Sequence, residues 1–290
     1  MRPPSGLLGR LSRLRLLGRA PGRSLRQGER RSTSKGAGLE FAGHRPYQEG
    51  DDLRHLDTRV YARLRQPFMR EFLADRQLRV SLLVDSSPSM NFGAPAKQQT
   101  ALMLAGVLAY AGLSSGDLVD VGVAQGRNIN WSDTMQGASR AEGIFRWLET
   151  GREGGREDFA AQVQAALPRL RNANIVILIG DWWIESPEAE LRGLFSLPGK
   201  VHGVQVVTPE EDDPSRLGSG PLRLTDAETD SMLDLAVDRA VLADYAHVLE
   251  QHRDALRTLM TRLGGSFTSL RTDQSHDDIV AGLMRAGLLG

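Results

Sequence analysis

Asp85, Ser87 and Ser89 place three oxygen-bearing side chains at alternate positions of the segment VSLLVDSSPSM, which spans Val80–Met90. One carboxylate and two hydroxyls are hard oxygen ligands. Mg²⁺ suits such a set, because this ion takes few protein ligands and keeps several of its waters. The simpler alternative is a serine-rich turn whose side chains only cap the following helix. The spacing therefore indicates either a cation site or a helix cap at this point of the chain.

A buried strand positions these oxygens, because the apolar run Val80–Val84 ends directly before Asp85. The Ser-Ser-Pro-Ser stretch cannot continue the strand, since proline lacks the N–H that the ladder needs and serine favours turns. Asp181 has a similar setting, after the apolar run Ile175–Ile179. Open α/β sheets bind ligands at the carboxyl edge of their strands, so we expect both aspartates in one crevice. The alternative for Asp181 is a helix cap.

Strand and helix patterns alternate along the rest of the chain. Near-continuous apolar strands separated by helices indicate a parallel sheet with helices on both faces, the doubly wound α/β architecture. The predicted strands are 80–84, 118–124, 129–131, 175–179, 201–207 and 266–270, and the predicted helices are 96–113, 140–148, 158–170 and 238–263. We also expect a short helix near 53–63, a strand near 68–74 and a peripheral β-hairpin near 222–237.

The composition fits one large α/β domain with an N-terminal arm. The 290 residues carry no net formal charge, which argues against a chain built wholly around nucleic acid. The absence of cysteine excludes disulfides and thiolate-ligated metals. No apolar stretch approaches the roughly 18 to 20 residues of a membrane-spanning helix. We therefore expect a cytoplasmic protein, either soluble or peripheral to the inner membrane.

The arm, residues 1–37, is basic, and Glu29 is its only acid between Arg2 and Lys35. A helix predicted within Leu7–Ala20 would place four leucines near one face and arginines elsewhere: Leu7, Leu11, Leu14 and Leu17. Such a helix suits an anionic membrane surface, and its charge also suits an acidic partner or nucleic acid. The alternative is that the leucines pack on the domain while the arginines are solvated.

The region around Asp85 resembles the metal-ion-dependent adhesion site of von Willebrand factor A domains. More narrowly, the chain from about Gly36 onward resembles the bacterial family called domain of unknown function 58. The narrower resemblance rests on the upstream block GLEFAGHRPYQEGDDLRHLD, on the Ala62-Arg63 pair, and on the downstream segments LADYAHVLEQHRDAL and SFTSLRTDQSHDDIVAGLMRAGLL. It implies a von Willebrand factor A-like domain over 79–290, a family-specific extension over 38–78 packed on that domain, and a flexible arm and linker over 1–37.

The resemblance also implies a Mg²⁺ site formed by four side chains: Asp85, Ser87, Ser89 and Asp181. In such sites the second aspartate holds a metal-bound water or a serine hydroxyl. The family pattern has a threonine after two glycines as a further element, but here GREGGREDF has Arg156 at that position. A guanidinium cannot bind Mg²⁺, but it can pair with the two aspartates and replace the cation. Alternatively, Arg156 points outward and Glu157 or water completes the coordination.

The sequence lacks familiar catalytic patterns. The six histidines show no metal-ligand spacing, and no Gly-x-Ser-x-Gly elbow, P-loop or dinucleotide fingerprint occurs. The serines after Asp85 have no identifiable base. The acidic block from Gly50 to Asp57 is explained by a turn, a helix cap and local ion pairs. Trp182 and Trp183 either cover the core or form a contact surface beside the site.

We therefore expect a non-enzymatic adaptor or co-chaperone that binds another protein at the carboxyl edge of the sheet. The resemblance implies a MoxR-type AAA+ ATPase as the partner, together with an unidentified client protein. Binding would occur when an incompletely coordinated cation receives a carboxylate from the partner. The alternatives are a Mg²⁺-dependent hydrolase that binds phosphate through Asp85 and Asp181, and a membrane-surface or nucleic-acid module that uses the basic arm. Nucleic acid is the partner that we least expect.

Overall fold

The computed structural model describes residues 4–16, 40–73, 77–125, 128–150, 158–217, 220–225 and 232–290. The chain divides into two compact units. The larger unit comprises Met1–Ala20 and Leu78–Gly290, and the smaller unit comprises Pro21–Gln77. The residues predicted to bind a cation at the sheet edge all belong to the larger unit.

Strands and helices alternate along the described residues. The strands are β1 (Glu40–Pro46), β2 (Phe68–Leu73), β3 (Arg79–Val84), β4 (Leu118–Gln125), β5 (Asn128–Trp131), β6 (Met135–Gln136), β7 (Ile175–Gly180), β8 (Lys200–Val207), β9 (Gly220–Thr225), β10 (Met232–Val237) and β11 (Phe267–Arg271). The helices are α1 (Ser5–Leu11), α2 (Thr58–Leu64), α3 (Lys97–Ser114), α4 (Ala141–Glu149), α5 (Phe159–Leu170), α6 (Pro187–Glu190), α7 (Pro209–Asp212), α8 (Arg239–Arg262) and α9 (His276–Arg285).

The larger unit is built on a seven-stranded sheet in the order β11-β8-β7-β3-β4-β5, with β6 beside β4. Strands β11, β8, β7, β3 and β4 run parallel, whereas β5 and β6 pair antiparallel with β4. β3 is central: Val80 is in register with Val119 of β4 and with Ile175 of β7. β3 and β7 are thus adjacent and parallel, so they end at the same edge of the sheet.

Helices cover both faces of this sheet. On one face, α1, α3, α4 and α9 enclose a core that includes Leu82, Leu104 and Leu283. On the other face, α5 and α8 enclose a second core that includes Leu83 and Leu256. Leu82 and Leu83 enter different cores because successive side chains of a strand leave opposite faces. This is the doubly wound α/β fold predicted from the sequence.

The N-terminal segment packs within the larger unit. Leu7 and Leu11 of α1 are buried in the core beside α3. Arg15 and Gly290 exchange two backbone hydrogen bonds, of 2.8 and 3.0 Å. The prediction of a flexible arm is therefore corrected for this segment. An apolar helix face is stabilised equally well by a protein core, and these leucines are buried there instead of facing a membrane surface. Residues 17–37 of the predicted arm and linker lie outside the described residues.

The smaller unit combines an antiparallel strand pair with a short helix. β1 pairs with β2. Asp57 caps α2 by accepting hydrogen bonds from backbone N–H groups of its first turn. Arg45 forms a bidentate pair with Asp51, with both N–O distances at 2.6 Å. These contacts confirm that the acidic block from Gly50 to Asp57 consists of a turn, a helix cap and ion pairs. β1 was not predicted, because Gly43 interrupts the strand pattern of this stretch.

The predicted hairpin near 222–237 is present. β9 pairs with β10 antiparallel, and the opposed residues Arg223 and Asp234 form an ion pair of 2.6 Å across the two strands. As for membrane-crossing segments, no helix within the described ranges combines the required length and hydrophobicity.

Candidate functional site

Asp85 lies immediately after β3, and its side chain is fully buried. Its backbone N–H donates to the carbonyl of Ile179 on β7 at 2.8 Å, which holds the ends of the two strands together. The Oδ1 atom accepts from the Ser87 N–H at 2.8 Å and from the Gln162 amide at 3.1 Å. The Oδ2 atom has no hydrogen-bond partner in the part of the chain that the structure describes. A buried carboxylate oxygen without a partner is costly, so this atom is suited to a cation.

Ser87 and Ser89 turn their hydroxyls toward each other, with their Oγ atoms 2.9 Å apart. Both belong to the turn that follows β3. Ser86 serves a different purpose, because its Oγ donates to the carbonyl of Ala124 at 2.7 Å and so fixes the turn to β4. The alternation predicted from the sequence therefore brings Asp85, Ser87 and Ser89 together, while the serine between them anchors the loop.

Asp181 follows β7, so the two aspartates lie at the same edge of the sheet, as predicted. Gly180 permits the Asp85 side chain to lie against the end of β7, because a Cβ atom there would lie 2.8 Å from the Cβ and Oδ2 atoms of Asp85. The helix-cap alternative for Asp181 is not observed, because the chain after it stays irregular until α6 begins at Pro187. The structure thus places all four predicted ligand residues at one edge.

The environment of Asp85 raises its pKa from 3.8 to about 7. Burial is the largest cause, because it removes the water that would solvate the carboxylate, and the negative charge of Asp181 adds to it. Hydrogen bonds from Ser87 and Gln162 act in the opposite direction. A positive charge near Asp85 would favour its ionised form and lower this pKa.

Lys97, the first residue of α3, contributes a positive charge that was not predicted. Its side chain is fully buried, with Nζ 3.3 Å from Asp181 Oδ2 and 2.6 Å from Glu211 Oε1. Glu211 is fixed in turn, because its other oxygen accepts from the Thr208 N–H at 2.8 Å in a capping box of α7. The available signal in the sequence was a lysine that opens an otherwise Ala- and Leu-rich helix shortly after the Asp85 loop.

Side chains of β8 and α8 fix the backbone that follows β7 by hydrogen bonds. The carbonyl of Asp181 accepts from the Gln205 amide at 2.9 Å, and the carbonyl of Trp182 accepts from His252 Nε2 at 2.7 Å. Arg253 donates to the other end of the Gln205 side chain at 3.1 Å. Trp182 has a left-handed backbone with φ of 64°. Such a conformation is rare for a bulky residue and persists only where the surroundings enforce it.

The two tryptophans after Asp181 have different surroundings. Trp182 is fully buried, and its ring packs edge-to-face between Phe159 and Phe267 at centroid distances of 5.1 and 5.4 Å. Trp183 is 43% exposed and stacks on the ring of His252 at 5.6 Å. One tryptophan therefore covers the core, and the other forms part of the surface beside the candidate site.

The predicted modifiers Arg156 and Glu157 lie outside the described residues. The description resumes at Asp158, whose side chain caps α5 by accepting from the Ala161 N–H at 2.7 Å. Among the described residues, no three His, Cys, Asp or Glu side chains gather as a metal-binding group. A cation at this edge would therefore depend on the hydroxyls of Ser87 and Ser89 as well as on a carboxylate.

Most of the chain matches the model of a known protein family. The model of the family described as protein of unknown function DUF58 matches residues 43–255. Uncharacterized proteins of Mycobacterium tuberculosis and Mycobacterium bovis are 28% identical to the chain over 246 residues, which cover 82% of this chain and 76% of each of them.

Among solved structures, the chain is similar to BatB of Bacteroides thetaiotaomicron, with 15% identity, a TM-score of 0.40, and coverage of 70% of this chain and 94% of BatB. An aerotolerance-related membrane protein of Bacteroides fragilis gives 15% identity and a TM-score of 0.42, with 72% of this chain and 98% of that chain covered. The pilus adhesin SpaC of Lactobacillus rhamnosus gives 13% identity and a TM-score of 0.43, with 73% of this chain and 30% of SpaC covered.

Proposed function

The chain belongs to the DUF58 family of proteins of unknown function, and from that premise we propose that it is a non-enzymatic protein-interaction adaptor that works in the cytoplasm. Its binding site is the carboxyl edge of the sheet. A divalent cation, Mg²⁺ in the simplest case, is held there by Asp85 Oδ2 and by the hydroxyls of Ser87 and Ser89. The cation keeps open coordination positions, and a carboxylate of the partner protein fills one of them.

The unpartnered Oδ2 atom of Asp85 is the observation that carries this proposal. A buried acceptor without a partner costs about 1–3 kcal/mol, and proteins keep such groups where they serve a purpose. A cation at this position satisfies the oxygen and offsets the repulsion from Asp181 that raises the pKa of Asp85. The adjacent hydroxyls of Ser87 and Ser89, which lack charge, complete a ligand set that suits a weakly held and exchangeable ion.

Exposed aromatic side chains next to the site support a protein as the ligand. Phe92, three residues after Ser89, is 53% exposed, and Trp183, two residues after Asp181, is 43% exposed. Large aromatic side chains beside a polar centre are typical of residues that contribute most to protein–protein binding. We propose that they contact the partner around the bridging carboxylate.

The partner that we propose is a MoxR-type AAA+ ATPase, with the adaptor linking the ATPase to a client protein. The support for this choice is the resemblance of the chain to proteins associated with such ATPases. An adaptor that holds its partner through a cation would bind reversibly, since loss of the ion or of one carboxylate contact releases the complex.

A binding assay with a purified MoxR-type ATPase from the same organism tests the proposal. We expect the wild-type protein to capture the ATPase in Mg²⁺ and to lose affinity by about tenfold or more in EDTA or with Asp85→Ala. Asp133→Ala is the matched control, because Asp133 is an exposed aspartate in the turn after β5. Equal capture by wild type and by a folded Asp85→Ala protein, in Mg²⁺ and in EDTA, would contradict the mechanism.

The pKa of Asp85 also favours the alternative of a Mg²⁺-dependent hydrolase. A carboxyl group with a pKa of about 7 is suited to general acid–base catalysis near neutral pH. Hydrolysis of p-nitrophenyl phosphate in Mg²⁺ separates the two functions. An enzyme should show turnover that Asp85→Asn abolishes, whereas an adaptor should show none with either protein.

A further inference from the structure

Lys97 is buried at the base of the candidate site. Its side chain has no exposed surface, although lysine is almost never buried unless it is paired. Its backbone N–H donates to the carbonyl of Phe92 at 3.0 Å, so the residue is joined to the end of the Asp85 loop. It is one of only three lysines in the chain, with Lys35 and Lys200. The chain therefore places an uncommon residue type at the edge where the two aspartates meet.

The ammonium group of Lys97 lies between two carboxylates. Nζ is 3.3 Å from Asp181 Oδ2 and 2.6 Å from Glu211 Oε1, and Asp181 is also buried. Asp181 is thus already paired with a positive charge that belongs to the protein. Asp85 has no such pair, since its Oδ2 atom lacks any hydrogen-bond partner among the described residues.

We propose that Lys97 is a resident cation that neutralises Asp181, removes it from metal binding and sets a low affinity of the site for divalent ions. This inference rests on the proposed function in one respect, which is that Asp85, Ser87 and Ser89 bind a divalent cation. Asp181 is then held by Lys97 in every state of the site, and the exchangeable ion is bound by the Asp85 loop alone.

Electrostatics gives the direction of the effect. A buried ammonium repels a divalent ion bound nearby, and the interaction is much stronger in a protein interior than in water. Removing the ammonium leaves Asp181 and Glu211 without their common cation, and a divalent ion becomes the means of compensating them. The same change destabilises the metal-free protein, because a buried carboxylate without its partner is costly.

Calorimetric titration with Mn²⁺ or Mg²⁺ alone tests the inference on the full chain. We expect Lys97→Met to bind the ion more tightly than the wild type does, by a factor of about ten or more. The ion should also raise the melting temperature of this variant by more than it raises that of the wild type. Lys200→Met is the matched control, because Lys200 starts β8 at the opposite edge of the sheet and should leave affinity unchanged. A folded Lys97→Met protein with unchanged or weaker affinity overturns the inference.

Lys97→Gln provides a second variant, because its amide keeps a donor for the two carboxylates without the charge. We expect this variant also to bind Mn²⁺ more tightly than the wild type. If Lys97→Met folds only when Mn²⁺ is present, as judged by circular dichroism, the ion has replaced the ammonium and the inference is supported. If neither variant folds with or without Mn²⁺, Lys97 is a structural ion pair and the inference is overturned.

The titration also separates this inference from the proposed function. Binding of Mn²⁺ by the wild type with the same affinity in the Lys97 variants rejects only the role of Lys97. Absence of binding in the wild type and in every variant rejects the cation mechanism of the adaptor itself. Absence of binding in the wild type together with binding by Lys97→Met supports the resident cation and rejects the cation mechanism proposed for the native adaptor.

Discussion

Asp85 and Asp120 are two fully buried carboxylates of neighbouring strands in one sheet, and they differ in their hydrogen-bond and ion-pair partners. Asp120, on β4, accepts from Ser81 Oγ at 2.5 Å and is paired with the guanidinium groups of Arg79 and Arg169, both at 3.1 Å. Asp85, at the end of β3, is contacted by N–H groups at Oδ1 only, and its Oδ2 atom has no partner among the described residues. We call Asp120, whose two oxygens both have partners, the closed carboxylate. We call Asp85, whose Oδ2 atom has none among the described residues, the open carboxylate.

The difference shows that burial of a carboxylate does not by itself indicate function. Asp120 lies near the amino end of β4, where one guanidinium reaches it from β3 and another from α5. Its contacts are complete, so its contribution is to the stability of the sheet. Asp85 lies beyond the carboxyl end of β3, where its Oδ2 atom has no hydrogen-bond partner among the described residues. The incomplete set of contacts, and not the buried charge, distinguishes the candidate site.

The largest expected effect tests the closed carboxylate. Asp120→Ala should lower the free energy of unfolding by about 3–5 kcal/mol, because it leaves two guanidinium groups without their buried partner. Asp85→Ala should cost much less in EDTA, since it removes a buried charge that has no cation. Urea unfolding of both variants measures the contrast. Equal losses would remove the distinction between a structural and a functional carboxylate.

The pH dependence of stability sharpens the comparison. The folded-state pKa of Asp85, about 7, lies above its ordinary value of 3.8, so the folded protein holds a proton that the unfolded chain has lost. The retained proton contributes to the free energy of unfolding. Its contribution is fully present at pH values below the ordinary pKa of 3.8, and it falls by about 1.4 kcal/mol per pH unit as the pH rises from there to about 7. Metal-free protein should therefore lose stability as the pH is raised toward neutrality.

Asp85→Asn is the variant that isolates this effect. In EDTA, between about pH 5 and about pH 8, the wild type should lose roughly 3 kcal/mol relative to Asp85→Asn in the free energy of unfolding. Urea unfolding at the two pH values measures the difference. Added Mg²⁺ should reduce the loss in the wild type, because a bound cation stabilises the ionised carboxylate. Parallel curves for the two proteins in EDTA would show that Asp85 is not an open buried carboxylate.

Much of the fold, and the placement of Asp85 at the carboxyl edge of the sheet, can be predicted from local sequence. Val80–Val84 and Ile175–Ile179 are apolar runs that each lead to an aspartate, and adjacent parallel strands must then present both aspartates at one edge. The remaining elements of the sheet follow from the same alternation of apolar strands and helices. β1 was not predicted, because Gly43 interrupts its pattern. The burial of α1 was one of two alternatives that the sequence left open, because a membrane surface and a protein core select the same leucine face.

The partners of the carboxylates could not be predicted, because they depend on contacts between distant parts of the chain. Lys97 meets Asp181 and Glu211 across sequence separations of 84 and 114 residues. Arg169 reaches Asp120 across 49 residues. A sequence shows that charged residues exist, but only the packing of α3 and α5 on the sheet decides which carboxylate each one closes. The distinction between the open and the closed carboxylate is therefore a tertiary property.

A smaller effect is expected from replacing Gly180, which lies against the Asp85 carboxylate. Gly180→Ala would place a Cβ atom 2.8 Å from Asp85 Oδ2, so the carboxylate must shift or the strands must separate. Overpacking of this kind costs about 1–3 kcal/mol. Gly9→Ala in α1 is the control, because no atom lies within 4 Å of its added Cβ. Urea unfolding should show a loss for Gly180→Ala and none for Gly9→Ala, and equal stabilities would mean that the edge is not tightly packed.

The smallest expected effect concerns Arg156, which stands where the family pattern has threonine. If its guanidinium pairs with Asp85 or Asp181, it closes that edge as Arg79 and Arg169 close Asp120, and the contrast between the two carboxylates is reduced. Arg156→Thr should then remove a competing cation and tighten Mg²⁺ binding by about tenfold, which corresponds to ~1.4 kcal/mol.

Calorimetric Mg²⁺ titration of wild type, Arg156→Thr and Arg152→Thr decides the role of Arg156. Arg152 is the matched control, because it lies in the same GREGGREDF segment but outside the family position, so its replacement should change the affinity little. Tighter binding by Arg156→Thr alone means that an arginine competes with the ion at this edge. Equal tightening by both variants reflects only a lower net charge near the site. Unchanged affinity in both rejects the competition and leaves Asp85 as the carboxylate that the protein keeps open.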